Sequence, residues 1–423
     1  MIFVGLAACG QLAASGLDSA FGRVPTVNPD EAAALSKAAA AEKSSLESAY
    51  AMLAKSAEEK WAGSALYFNL ANLCHRLGKY EEAENFYRKS LEGEPSFFMA
   101  RKNLALTLEI MGKPKEAQPE FARALALAGG GDSEILMRLS SRRADEGDFS
   151  GALSLCNQAL VYDPDNAGYK RVKAILLGKT GNLSESEFLT LKLLESDMKN
   201  PELWKLLGKV RALSGKHAQA IAAFRAFLAF GKEESGVLLA LGDLYFAEGV
   251  FESAAEMYGK AIKLGVDVAG ERAKRLALAF VSISNYDAAL KTCDAVPNVF
   301  RDSDYYMCKG IAENGIGKIS DAESDFRKSI SMAPDNARAL FELGRLLSAR
   351  GERIESEGLL RRAAANPNFE RAAFAVMVNS AISSGDYVSA LSSARESLKR
   401  NPSADMERCA ADLEKYLERA GDE

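Results

Sequence analysis

Apolar positions along most of this chain fall three and four residues apart, the spacing of one face of an α-helix. In AGYKRVKAILL they are Val172, Ile175 and Leu176. In the closing stretch SADMERCAADLEKYLERAG they are Met406, Cys409, Ala410, Leu413, Tyr416 and Leu417, while Glu407, Arg408, Asp412, Glu414, Lys415 and Glu418 face away. Strand-like alternation is hard to find, and only 11 prolines interrupt 423 residues. The pattern predicts an all-α protein.

The helical pattern is itself periodic. The segments starting at Trp204 and Leu238 superpose at an offset of 34, with Leu207 on Leu241, Gly208 on Gly242, Gly215 on Gly249, Ala220 on Ala254 and Phe224 on Tyr258. One small residue recurs as Ala83, Ala117, Ala152, Ser186, Ala220, Ala254, Ala289, Ala322, Ser356 and Ala390, with gaps of 33 to 35. A fixed period of this length signals stacked supersecondary units, each unable to bury its apolar face alone.

Each unit reads as a helical hairpin. Its first helix ends at a glycine, as at Gly78, Gly112, Gly147, Gly181, Gly215, Gly249, Gly317, Gly351 and Gly385. That place commonly turns left-handed. Five residues later the recurring Ala or Ser lets the two helices approach closely. Pro95, Pro164, Pro334 and Pro402 stop the second helix in four units. The frame gives ten repeats over residues 64–404, starting near Ser64, Phe98, Ser133, Ala167, Pro201, Ser235, Gly270, Ser303, Ala337 and Arg371. Repeat seven has Ser284 in place of its glycine and Pro297 inside its second helix, so residues 296–304 should be an irregular joint. Residues 30–63 read as capping helices or a degenerate repeat, and residues 405–423 as a closing helix that covers the last apolar face.

Trp204-x-x-Leu207-Gly208 with Ala220 and Phe224, and Leu238-x-x-Leu241-Gly242-x-x-Tyr245 with Ala254 and Tyr258, resemble the tetratricopeptide repeat. The resemblance implies an α-α superhelical solenoid of about ten hairpins, capped at both ends. It also implies a concave groove, lined by the first helices, that receives a peptide segment or a partner's helix. In that family the second, fifth and ninth places of the first helix face the groove. On this chain the partner-binding candidates are Phe68, Asn72, Lys102, Met137, Arg171, Ile175, Lys205, Lys209, Asp243, Lys274 and Arg345. Six are basic and one acidic, with Glu134, Glu202, Glu271 and Asp304 at second places toward the rim. The expected occupant is an extended acidic segment across repeats two to five, with Met137 and Ile175 taking apolar side chains. The carboxylate clamp of some family members is not in register, since Phe68 and Asn72 are followed by Lys102, Asn103 and Leu106.

Composition narrows the chemistry. Net charge is −5, without the basic excess of a nucleic-acid binder. Two histidines, His75 and His217, and six cysteines without a Cys-x-x-Cys pair offer no metal site or nucleophile relay. Gly178-Lys179-Thr180 has the tail of a phosphate loop but Lys173 where the first glycine belongs, and a helix precedes it. The sequence therefore predicts no catalytic residues, cofactor or metal. His75 would be the seed of the distant alternative, an enzyme with its site in the groove.

At the start, Leu6-Ala7-Ala8-Cys9 resembles the lipobox of bacterial lipoproteins, and a Gly/Ser/Ala-rich tether follows to Pro29. No Lys or Arg precedes the apolar stretch, as a secretory signal would have. The resemblance implies lipidation of Cys9, a place in the cell envelope and a membrane association through that anchor alone. A cytoplasmic adaptor or co-chaperone with a small apolar tail is the alternative.

Overall fold

The computed structural model describes residues 24–421, with side chains to residue 419. Cys9 and its flanking motif lie outside the described residues. Among those described there are 23 α-helices, one 3-10 turn at Asn298–Phe300 and no strand. None of these helices is long and apolar enough to cross a membrane.

The chain divides into two compact units, one ending at Ser214 and one beginning at Gly215. The first contains the hairpins Pro29–Glu42/Leu46–Ser56, Ser64–Arg76/Tyr80–Gly93, Phe98–Ile110/Pro114–Leu127, Ser133–Asp145/Phe149–Tyr162 and Ala167–Lys179/Leu183–Ser196, then helix Pro201–Leu213. The second opens on His217–Leu228. It continues with Ser235–Ala247/Phe251–Lys263, Val268–Ser282/Tyr286–Ala295, Ser303–Gly315/Ile319–Met332, Ala337–Ala349/Arg353–Ala363 and Pro367–Ser383/Tyr387–Arg400, and closes on Ala404–Gly421. Within each unit successive helices pack on one another, so the apolar core runs along the stack.

The recurring small residues sit inside this core, none more than 2% exposed. Where serine replaces alanine its hydroxyl is satisfied by the facing helix. Ser186 Oγ donates to the Ala174 carbonyl at 2.6 Å and Ser356 Oγ to the Gly344 carbonyl at 2.7 Å. The close approach also excludes a Cβ at Gly242, which would strike the Tyr258 ring.

All nine turn glycines have positive φ, between 71° and 84°. At Gly181 this bend lets the Asn182 N–H return to the Leu177 carbonyl at 2.9 Å and close the helix end. Ser284 adopts the same bend at φ 59°, with the Asn285 N–H on the Phe280 carbonyl at 2.9 Å. Among the described residues it is the only non-glycine with positive φ. Tyr286–Ala295 is a ten-residue helix ended by Val296 and Pro297, against 14 residues for the second helix of repeat one. Two first helices begin ahead of the sequence frame. The one expected near Gly270 starts at Val268, and the one expected near Arg371 starts at Pro367. In the latter, Asn366 accepts the Asn368 N–H at 3.0 Å and Pro367 supplies a preset first turn.

The ends are closed by different means. Helix Pro29–Glu42 inserts Glu31, 1% exposed, so that it accepts the Leu66 N–H at 2.7 Å, while Asn28 Nδ2 donates to the Trp61 carbonyl at 2.8 Å. At the other end Ala410 and Leu413 pack on a cluster with Val378, Ala381, Ala390 and Ala394. Tyr416 stays half exposed, its ring 4.4 Å from that of Tyr387.

Candidate functional site

The first helices of repeats four and five, Ala167–Lys179 and Pro201–Leu213, carry side chains in rows four residues apart. Such rows lie on one helix face. Arg171, Ile175 and Lys179 form one row, and Lys205, Lys209 and Leu213 the other. They border a cavity of about 440 Å³ whose wall also includes Gly178, Glu202, Leu206 and Val210. That volume lies in the range of ligand-binding pockets, roughly 300–1,000 Å³. Ile175 is 41% exposed and Leu213 68% exposed, so the apolar part of the wall meets solvent.

Charge is unevenly committed across the predicted residues. Lys205 Nζ lies 2.6 Å from Glu202. Arg171 and Lys209 make no ion pair among the described residues, and Lys179 lies over the Phe149 ring at 5.7 Å. The cavity therefore brings together Arg171, Ile175, Lys205 and Lys209, with more positive than negative charge around it.

The other predicted groove residues are placed elsewhere or are already engaged. Phe68 is 1% exposed, with its ring 4.6 Å from Phe97. Asn72 is also buried and accepts the Tyr87 hydroxyl at 2.6 Å and Asn103 Nδ2 at 3.0 Å. Lys102 is buried and ion-paired with Asp132 at 2.8 Å and Glu134 at 3.0 Å. These three present almost no surface to a ligand. Met137 is half-buried against Ala152, Cys156 and Leu176.

In the second unit, Asp243 accepts from Arg272 Nε at 2.7 Å and from the Tyr258 hydroxyl at 2.8 Å. Lys274 pairs with Asp302 at 2.6 Å and Glu271 at 3.1 Å. Burial opposes the charge on Lys274, but the two carboxylates outweigh it and hold the ammonium above its ordinary range. Arg345 pairs with Glu342 at 2.8 Å. The six-to-one basic excess of the sequence is thus largely neutralised within the protein, and the second-place acids do much of it.

Reading the family's places missed Lys179, Leu206, Val210 and Leu213, which line the same cavity. The signal for Lys179 was present, because it continues the Arg171–Ile175 row by four more residues.

His75 is 7% exposed, its Nδ1 lies 3.0 Å from Thr107 Oγ1, and burial pulls its pKa below the ordinary histidine range. Among the described residues no group of three or more His, Cys, Asp or Glu could hold a metal ion.

Family models described as tetratricopeptide repeat match residues 64–97, 143–210, 239–303 and 309–373, together more than half of the chain. The chain belongs to the tetratricopeptide repeat family. It is 24% identical over 197 residues to human tetratricopeptide repeat protein 6, covering 45% of this chain and 36% of that protein. The chain thus spans about a third of that curated relative's length. Among solved structures it is similar to a tetratricopeptide repeat protein from Parabacteroides merdae ATCC 43184, at 22% identity and TM-score 0.40, covering 57% of this chain and 96% of that one. It is also similar to PilF of Pseudomonas aeruginosa, at 18% identity and TM-score 0.39, covering 48% of this chain and 91% of that one. The likeness to these structures is one of fold. Tetratricopeptide repeat domains bind protein or peptide partners.

Proposed function

We propose that this chain is a non-catalytic scaffold whose first unit holds an acidic segment of a partner protein. The cavity where Arg171, Ile175, Lys205 and Lys209 converge carries the reading. The sequence pattern spread the contact over repeats two to five. We narrow it to repeats four and five, because Lys102 is buried and already paired. Exposed charge around a groove raises association rate and selects partners more than it adds affinity, so binding should weaken with salt.

Selection of displayed random peptides on the full chain tests this reading. Acid-rich sequences should be enriched at low salt and lost on Arg171→Glu with Lys209→Glu, but retained on Lys192→Glu, which alters the second helix of repeat four. Selected peptides without an acidic excess, or equal binding to both variants, would remove the proposal.

The finer role we propose is in assembly of a cell-envelope system such as a pilus, secretion apparatus or polysaccharide exporter, with the scaffold anchored by a lipid on Cys9. The Leu6-Ala7-Ala8-Cys9 motif supports it. Intact mass of the protein from the membrane fraction of its native host should show a diacyl or triacyl adduct beginning at Cys9. An unmodified chain in the soluble fraction would instead favour the cytoplasmic adaptor.

A further inference from the structure

The two rows of side chains along the cavity bear on which acidic sequences it would choose. On helix Ala167–Lys179 the order is Arg171, Ile175, Lys179: cation, apolar, cation. Helix geometry spaces residues four apart by about 6 Å along the axis, at 1.5 Å rise per residue. An extended peptide places every second side chain on one side, at about 6.5 Å intervals. The two rulers nearly coincide over this distance. A strand lying along the helix would therefore meet Arg171, Ile175 and Lys179 with three alternate side chains. Lys209 and Leu206 face the same cavity from helix Pro201–Leu213.

Resting on the acidic-segment reading, we propose that the cavity recognises an extended partner segment of the pattern acid–x–bulky apolar–x–acid. The central side chain enters between Ile175, Leu206 and Val210, and the flanking carboxylates meet Arg171 and Lys179. Three observations converge on this occupant. Ile175 keeps 41% of its surface exposed in a cavity whose wall also includes Leu206, Val210 and Leu213, an apolar strip that an apolar side chain would cover. Arg171 and Lys209 carry no internal ion pair, in contrast to Lys102 and Lys274, each held between two carboxylates. The volume of about 440 Å³ admits an aromatic side chain, whereas the cavity lined by Ser356, Ser380 and Ser389 in the second unit, at about 10 Å³, has room for a single water.

Fluorescence anisotropy with labelled synthetic peptides reads the register directly. The matched peptide carries aspartates two residues either side of a phenylalanine, with serine elsewhere. The out-of-register peptide has the same composition, with the aspartates adjacent to the phenylalanine. The full chain should bind the matched peptide about tenfold more tightly, and Arg171→Glu should remove that advantage. Ile175→Ser should weaken the matched peptide but leave unchanged a version with serine for phenylalanine, which isolates the apolar contact. Arg171, Ile175 and Lys179 are exposed, so their substitution should leave melting unaltered. Equal binding of the two peptides would overturn the register while leaving the acidic-segment reading intact. Failure of every acidic peptide, displayed ones included, would overturn both.

Discussion

The Glu31 carboxylate accepts the Leu66 N–H at 2.7 Å from within the core, and so the N-terminal hairpin caps the first helix of repeat one. Burial raises the Glu31 pKa above its ordinary 4.5, outweighing the lowering by its backbone partners at Leu66, Asn28 and Gly63. The folded state thus holds a proton on Glu31 at pH values where the unfolded chain does not. Its contribution to stability is fully present below 4.5 and is lost as pH rises through the raised folded value. Glu31→Gln should remove this component, so the stability difference between wild type and variant should change with pH over that window. Denaturant titrations across the window check it, and a pH-independent difference would show that the buried carboxyl does not titrate as described.

Repeat packing gives a second expectation. Ala254 is fully buried between Ser235–Ala247 and Phe251–Lys263, so Ala254→Leu should cost about 1–3 kcal/mol by overpacking. In a stack whose units touch mainly their neighbours, the damage should be local. Hydrogen exchange should quicken over residues 235–268 and the adjoining repeats, and stay unchanged at Leu413.

Ser284 marks a position where the chain departs from its own rule. A side chain in the left-handed region costs about 1–2 kcal/mol, and glycine carries no such cost. Ser284→Gly should raise unfolding free energy by about 1 kcal/mol, whereas Gly249→Ser, at φ 72°, should lower it by a similar amount. Thermal or denaturant melts of the two variants provide the comparison.

The described cysteines are all free thiols. Burial pushes the Cys74 and Cys156 thiols up to about 12 and about 11. Cys293 is raised further, first by its hydrogen bond with Cys308 and then by burial. Thiolate is the reactive form, so alkylation near pH 8 should begin at half-exposed Cys409 and reach the other four only on unfolding. Peptide mapping after timed alkylation would show the order. Protection of Cys293 and Cys308 together in unfolded, non-reduced protein would instead reveal a disulfide across that joint.

Much of the helical stack was legible because a repeated backbone solution leaves a repeated trace. Left-handed turns select glycine, close crossings select alanine or serine, and helix ends tolerate proline. The groove was legible only in part. Arg171, Ile175, Lys205 and Lys209 converge as their places suggested, but place alone does not report burial or pairing. Phe68 vanishes beneath Phe97, a residue between helices that no periodic frame inspects. Lys102 and Lys274 find their acids 30 and 28 residues further on, through contacts that depend on side-chain reach.

Those two lysines also bear on how such a chain can evolve. Asp132 and Asp302 cap the helices that follow, each accepting a backbone N–H of its own helix as well as a lysine from the preceding repeat. Four other first helices have Gly63, Phe97, Asn166 or Asn336 at the capping position, which offer no carboxylate. Deleting one repeat length by recombination, residues 132–165, would seat Asn166 beside Lys102 and leave the lysine ammonium without the Asp132 and Glu134 carboxylates. The hairpins share a backbone, but their order is written into the seams between them, so this array is not a string of interchangeable modules.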